Sequence, residues 1–342
     1  MYAPFVRSLV FLVLVASVPS SCSAAPNRPS AVAYTLSGGR LGDNLIAFLH
    51  AAWISYKYDM PLLYQPFDYA DQFAFHTMFE RFDRNVKKQF KSVIELGFNP
   101  FSGFSRDDNT LYIIPYFPES AGDFRPNEFY PDRKKNTQFF TVDWEDQHFL
   151  AWARELLKPV NALTLVHPPA DCVSIALHVR KNSGGFDPDI LHGLPIEKYD
   201  PKKLYVDRYY PLKMPPMSYY VEQLRAVLSL YPGQRIYVYL FTDDPNPAAL
   251  VAECRRYITD DRISWDYRRA RNHHASNVVE DFFSMQQFDC LIRPDSNLSI
   301  IAGRLGDFDC VISPVIHHWE QTTLHIDKAA ILLRAARRGN GE

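Results

Sequence analysis

Between residues 172 and 313, short apolar runs alternate with amphipathic stretches at nearly constant spacing, and few folds accommodate that rhythm. It predicts strands at 172–177, 235–241, 262–265, 290–292 and 310–313. Helices are predicted at 218–230, 246–257, 278–288 and 297–305, with a last one at 323–337. From Cys172 to Leu177 the only polar residue is Ser174, as expected of a strand buried on both faces of a parallel sheet. Strands and helices in alternation imply a doubly wound α/β sheet.

The first half opens in the same manner. A strand at 31–36 runs into a glycine-rich turn, Ser37 to Asn44, then a helix at 45–58 that is apolar on most sides, then a strand at 60–64. Aromatic-rich helices are expected at 69–82 and 85–96, a strand at 111–117, a surface loop at 119–136 and a helix at 145–157. Pro159, Pro168 and Pro169 mark a boundary within 158–170, dividing the chain into domains at 26–165 and 171–342. A length of 342 residues suits either one large α/β unit or two ordinary domains.

Residues 1–25 stand apart. Arg7 precedes an apolar run from Leu9 to Val18, followed by Pro19 and Ala24-Ala25, the layout of a secretory signal peptide or a short signal anchor. The expected location is the ER or Golgi lumen, the exterior or a periplasm, with membrane attachment only through an uncleaved anchor. A net charge of −2 gives no general case for nucleic-acid binding. Beyond Cys22, the four cysteines Cys172, Cys254, Cys290 and Cys310 lack metal-ligand spacing. Three of them border apolar runs, so buried thiols are expected, with one disulfide left open.

In open α/β sheets ligands sit beyond the carboxyl ends of strands. Four such ends are polar here. One carries Gly39, Asp43 and Asn44; another His178 and Arg180; a third Asp243; the fourth Asp295, Ser296 and Asn297, which open a helix. Arginine grips two phosphate oxygens with its planar fork, and a helix start offers free amides to an anion. Each also has a plainer reading. His178 could be a satisfied core residue, Arg180 could pair with Asp243 or Asp281, and Ser296 could simply cap its helix. The glycine turn lacks both the Gly-x-Gly-x-x-Gly order and a following Lys-Ser/Thr, so neither a dinucleotide site nor an NTPase loop is supported. His273-His274 and His317-His318 lack metal spacing.

Taken in order, these segments resemble the fucosyltransferase superfamily, which spans α-1,2-, α-1,6- and protein O-fucosyltransferases. Gly39 to Asn44 is similar to that group's Gly-Arg-Leu/Phe-Gly-Asn-Gln segment, His178-Val179-Arg180-Lys181 to its His-x-Arg-Arg motif, and Phe241 to Pro245 to Phe-Ser/Thr-Asp-Asp-Pro. Asp281 to Ser299, followed by Val311 to Pro314 and Trp319, is similar to its C-terminal motif. The resemblance implies a GT-B architecture, two Rossmann-like domains facing a cleft. The first domain would take the acceptor, a glycan or glycoprotein hydroxyl, and the second the nucleotide sugar. It implies GDP-fucose as donor, no metal and no other cofactor, and inversion at the sugar carbon. It places His178 and Asp281 at the guanine or ribose, Arg180 at the β-phosphate and Ser296 in the phosphate loop. Lys181 stands where the motif has its second arginine, Asp43-Asn44 replaces Asn-Gln, and Asp295 replaces Asn.

Inverting transfer needs a stabilised leaving diphosphate and a base for the acceptor. Asp187 and Asp189, in the long segment after Arg180, are the expected bases, with Asp43 third. Two other readings stand beside this one: a GT-B transferase using another nucleotide sugar, and a secreted glycan-binding homologue without catalysis.

Overall fold

The computed structural model describes residues 28–96, 103–117, 119, 141–181, 211–273, 276–321 and 323–334. The expected signal segment, Asp187, Asp189 and His274 lie outside them.

The first half is a parallel sheet. β1 (Ala31–Tyr34) pairs with β5 (Thr110–Ile114), and β5 with β4 (Ser92–Glu95), all in parallel. On the other side of β1, a bridge from Val32 to Leu62 brings in β2 (Leu63–Tyr64), which pairs with β3 (Glu80–Arg81). The central helix α1 (Leu41–Tyr58) is buried on most sides because its apolar residues recur all round it. Phe48 stacks on Phe75 at 4.1 Å, and burying such a ring contributes roughly 1.5–3 kcal/mol.

Two helices expected in this half do not form. Residues 69–82 give a 3-10 turn at Ala70–Gln72, the short α2 (Phe75–Met78) and β3, while 85–96 give α3 (Arg84–Lys87) and β4. Phe73 and Phe75, two residues apart, both enter the core, a spacing that a continuing helix cannot serve. The Asp83 carboxylate then accepts bonds from the amides of Asn85 and Val86 and starts a new turn. After β5 come α4 (Gln147–Leu156) and the connection to the second half.

The second half has the strand order β11-β10-β9-β6-β7-β8. β6 (Val173–Val179), β7 (Ile236–Thr242), β8 (Ile263–Tyr267), β9 (Cys290–Ile292) and β10 (Cys310–Glu320) are parallel. Between them run α5 (Met217–Leu230), α6 (Pro247–Tyr257), α7 (Val278–Met285) and α8 (Asn297–Leu305). This is the doubly wound order, with its switch between β6 and β9. The last helix expected does not form either. Thr323–Leu333 is β11, antiparallel to β10. β10 continues past the sheet as an exposed ribbon, and β11 satisfies its backbone, with His318 paired to Asp327 and stacked on His325. Pro314, which cannot donate to a ladder, sits at the bulge. Among the cysteines, Cys254, Cys290 and Cys310 are buried free thiols, whereas Cys172 is half-exposed and bonds to the Pro169 carbonyl.

One hydrophobic core runs through both halves, joining α1 and α4 to Phe282, Met285, Ile301 and Leu305. No helix among the described residues is long and apolar enough to cross a membrane.

Candidate anion-binding cleft

Strand ends and helix starts from both halves converge on one cleft. α1 begins after β1, α8 begins after β9, and their N-termini abut. A Cβ added to Gly42 would lie 2.4 Å from the Leu298 amide nitrogen, so only glycine permits this approach. Solvent-sized interior space is about 90 Å³, within an open cleft of about 700 Å³.

Asp43 holds the two halves together. Its Oδ1 accepts from the Tyr116 hydroxyl (2.9 Å) and from Asn297 Nδ2 (2.6 Å), while Oδ2 accepts from the Arg40 amide (3.3 Å). A second link joins Arg40 Nη1 to Asp243 Oδ2 at 3.9 Å. Asp243 Oδ1 also accepts from the Lys181 amide at 2.8 Å, fixing the end of β6 to the end of β7.

Arg180 follows β6 directly and is half-buried. It forms no ion pair with any described residue, and its Nε has no hydrogen-bond partner. Burial pulls its pKa down to about 10, with Arg40 pushing the same way and Asp243 and Asp43 opposing, so it remains cationic at neutral pH. His178, inside β6, is half-buried, with its Nδ1 buried and unpartnered. Burial, then Arg180, Arg293 and Arg40, pull it down to about 3, so the ring is neutral. Lys213, close enough to feel Asp43 and Arg180, has its pKa lowered chiefly by burial. Arg293, at the end of β9, is likewise buried with Nε unpartnered. Unpartnered buried donors around a polar cleft are costly unless a ligand engages them.

At the start of α8, Ser296 occupies the cap position but its side chain makes no cap bond. On the far wall Asp281 pairs with Arg268, and Arg268 also approaches Glu280. Burial pushes the Asp281 carboxyl up to about 6 against the pull of Arg268.

The cleft is therefore lined by Asp43, His178, Arg180, Asp243, Asp281, Ser296 and Asn297 from among the expected residues. Three do not reach it. Gly39 and Asn44 shape the turn behind, where Asn44 Nδ2 donates to the Gly39 carbonyl. Asp295 is buried behind the helix start, and its amide donates to the Leu212 carbonyl. The alternative pairing of Arg180 with Asp281 is not present, since Arg268 takes that carboxylate. Sequence reasoning passed over Arg40 and Tyr116. Tyr116 lies just past the carboxyl end of β5, so the strand-end rule applied to the first half would have found it.

No protein-family model matches this sequence, and no curated protein matches it. Solved structures similar to it include an arginine-to-lysine mutant of Arabidopsis thaliana FUT1 in complex with GDP. That likeness has 11% identity and a TM-score of 0.48, and covers 86% of this chain and 72% of that one. POFUT1 in complex with GDP-fucose is similar at 12% identity and TM-score 0.41, over 84% of this chain and 96% of that one. The fucosyltransferase NodZ from Bradyrhizobium is similar at 11% identity and TM-score 0.43, over 90% and 99%. These are likenesses of fold.

Proposed function

We propose that this chain is a glycosyltransferase whose cleft holds a nucleoside-diphosphate sugar, GDP-fucose in the first instance, and passes the sugar with inversion to a glycan or glycoprotein hydroxyl without a metal ion. One observation carries the reading: half-buried Arg180 and His178 keep buried, unpartnered nitrogens where the cleft meets the uncapped start of α8. A departing diphosphate is the kind of charge such a preorganised, partly dry site stabilises. Arg180 would take the β-phosphate, the start of α8 at Asn297 the same group, and Asp281 the base or ribose. Neutral His178 can serve as a hydrogen-bond partner without adding charge. Asp43 already accepts three hydrogen bonds, which makes it a better latch than base, and leaves Asp187 and Asp189 as the expected bases. The working compartment on this reading is a secretory lumen, where nucleotide sugars are supplied.

Thermal shift with GDP, UDP and ADP, each with EDTA, tests it. GDP at about a hundred times its Kd should stabilise the fold by roughly 2.7 kcal/mol. A shift with UDP alone would favour another nucleotide sugar, and a shift that requires Mn²⁺ would refute the metal-free part.

A further inference from the structure

A second site lies on the outer edge of the second sheet. β8 is the edge strand, and Trp265 and Tyr267, two residues apart, project from the same face about 7 Å from each other. Both are half-buried against the core beneath α6, leaving one side of each open. α6 presents Arg255 and Arg256 to the same groove, and the Arg269 guanidinium lies 4.5 Å above the Tyr267 ring while its Nη2 pairs with Asp266 Oδ1 at 3.1 Å. The groove measures about 520 Å³, and no carboxylate lines it. Arg255 and Arg256 are exposed and form no ion pair with a described residue. Two guanidinium groups without a carboxylate partner among the described residues thus gather at two aromatic rings in a chain whose net charge is −2.

The groove is separate from the cleft, although one segment serves both. Arg268 turns inward to Asp281, and Arg269 turns outward over Tyr267. Nothing in the donor reading uses the outer side.

We infer that this groove binds an anionic saccharide, with Trp265 as the stacking platform and Arg255 and Arg256 as the anion receptors. An aromatic face packs against the C–H face of a sugar ring, and a guanidinium fork matches a carboxylate or sulfate with two parallel bonds. The small side chain of Ala252 leaves room for a ring to lie flat between α6 and β8. An acidic polypeptide would satisfy the arginines but would leave the aromatic platform without its matching partner. Carboxylated and sulfated sugars share the required chemistry.

Calorimetric titration of the full chain at low salt tests this, with a heparin-derived hexasaccharide, a galacturonate hexamer, neutral maltohexaose and a glutamate hexapeptide as probes. One or both anionic sugars should bind, and which one does so distinguishes sulfate from carboxylate. The double substitution Arg255→Gln and Arg256→Gln should weaken that binding about tenfold or more at unchanged Tm. Trp265→Ala should weaken it as well, and Trp265→Phe should restore part. If Trp265→Ala fails to fold, the arginine pair decides alone. Equal binding of maltohexaose or of the glutamate peptide would overturn the inference. So would indifference to the arginine substitutions, or no anionic sugar binding tighter than about 1 mM. Because the readout is binding and not transfer, failure here leaves the donor reading intact.

Discussion

The two helices that meet at the cleft begin in different ways. At α1 the Asp43 carboxylate returns to the Arg40 amide and also holds Tyr116 and Asn297, so that end carries its own negative charge and is largely satisfied. At α8 the residue in the capping position, Ser296, makes no cap bond, and Arg180 and Arg293, at the ends of β6 and β9, keep unpartnered nitrogens. One helix start is spent on joining the halves. The other is left with its positive end available. Similar local sequences therefore serve opposite purposes, and the position of one carboxylate makes the difference.

The largest expected effect is on the open side. Arg180→Lys keeps the charge but loses the planar fork, and turnover should fall by about 10² to 10³, or ~2.7–4 kcal/mol. Turnover and Tm measured on the same preparation are diagnostic, because near-normal turnover per folded molecule would remove Arg180 from the phosphate site. On the joined side, Gly42→Ala forces a methyl group against the Leu298 backbone and should destabilise by about 1–3 kcal/mol in chemical denaturation, since backbone cannot move aside as a side chain can. Asp43→Ala should cost about 1–3 kcal/mol by removing the acceptor that Tyr116 and Asn297 share, with Asp43→Asn intermediate. If Asp43→Ala instead abolished turnover at full stability, Asp43 would be a base and not a latch.

Asp281 supplies a pH test. Its folded pKa, about 6, lies above its ordinary value of 3.8, so its contribution to stability is present below that value and is lost as pH rises through about 6. His178 is shifted in the opposite sense, to about 3 from 6.5, and its contribution is present above 6.5 and is lost as pH falls toward 3. Compared with the unsubstituted chain, Asp281→Asn should therefore gain relative stability between about pH 4 and pH 6, as followed by Tm across that range. A flat difference would mean that Arg268 holds the carboxylate ionised throughout. The smallest effect expected is that of Ser296→Ala. It should change stability by no more than about 0.5 kcal/mol, against about 1 kcal/mol for a working cap, while weakening GDP in the thermal-shift assay.

The second half was legible in the sequence nearly element by element. Its strands are apolar runs such as Val173–Val179, its helices bury apolar residues at helical spacing, as Tyr220, Leu224 and Val227 do, and short connections keep neighbours adjacent. The first half was less so between residues 60 and 96, where aromatic residues are dense and the period depends on which rings the core admits. Phe73 and Phe75 both went inward and broke the helix that their neighbours suggested. The ribbon at Thr323–Leu333 was misread for a related reason. Alanine and leucine favour a helix locally, but the exposed extension of β10 needed a partner strand.

Local chemistry in the sequence was enough to determine the alternating α/β plan and the strand ends at which His178, Arg180, Asp243 and Ser296 gather. Periodicity and strand-end position are short-range properties that any chain fragment carries. Tertiary structure alone decided that Asp43 is bonded across to Asn297, that Arg268 and not Arg180 takes Asp281, and that Asp295 does not line the cleft. Those outcomes depend on residues up to 254 positions apart competing for the same few hydrogen bonds, and only the folded packing settles which of them come within reach.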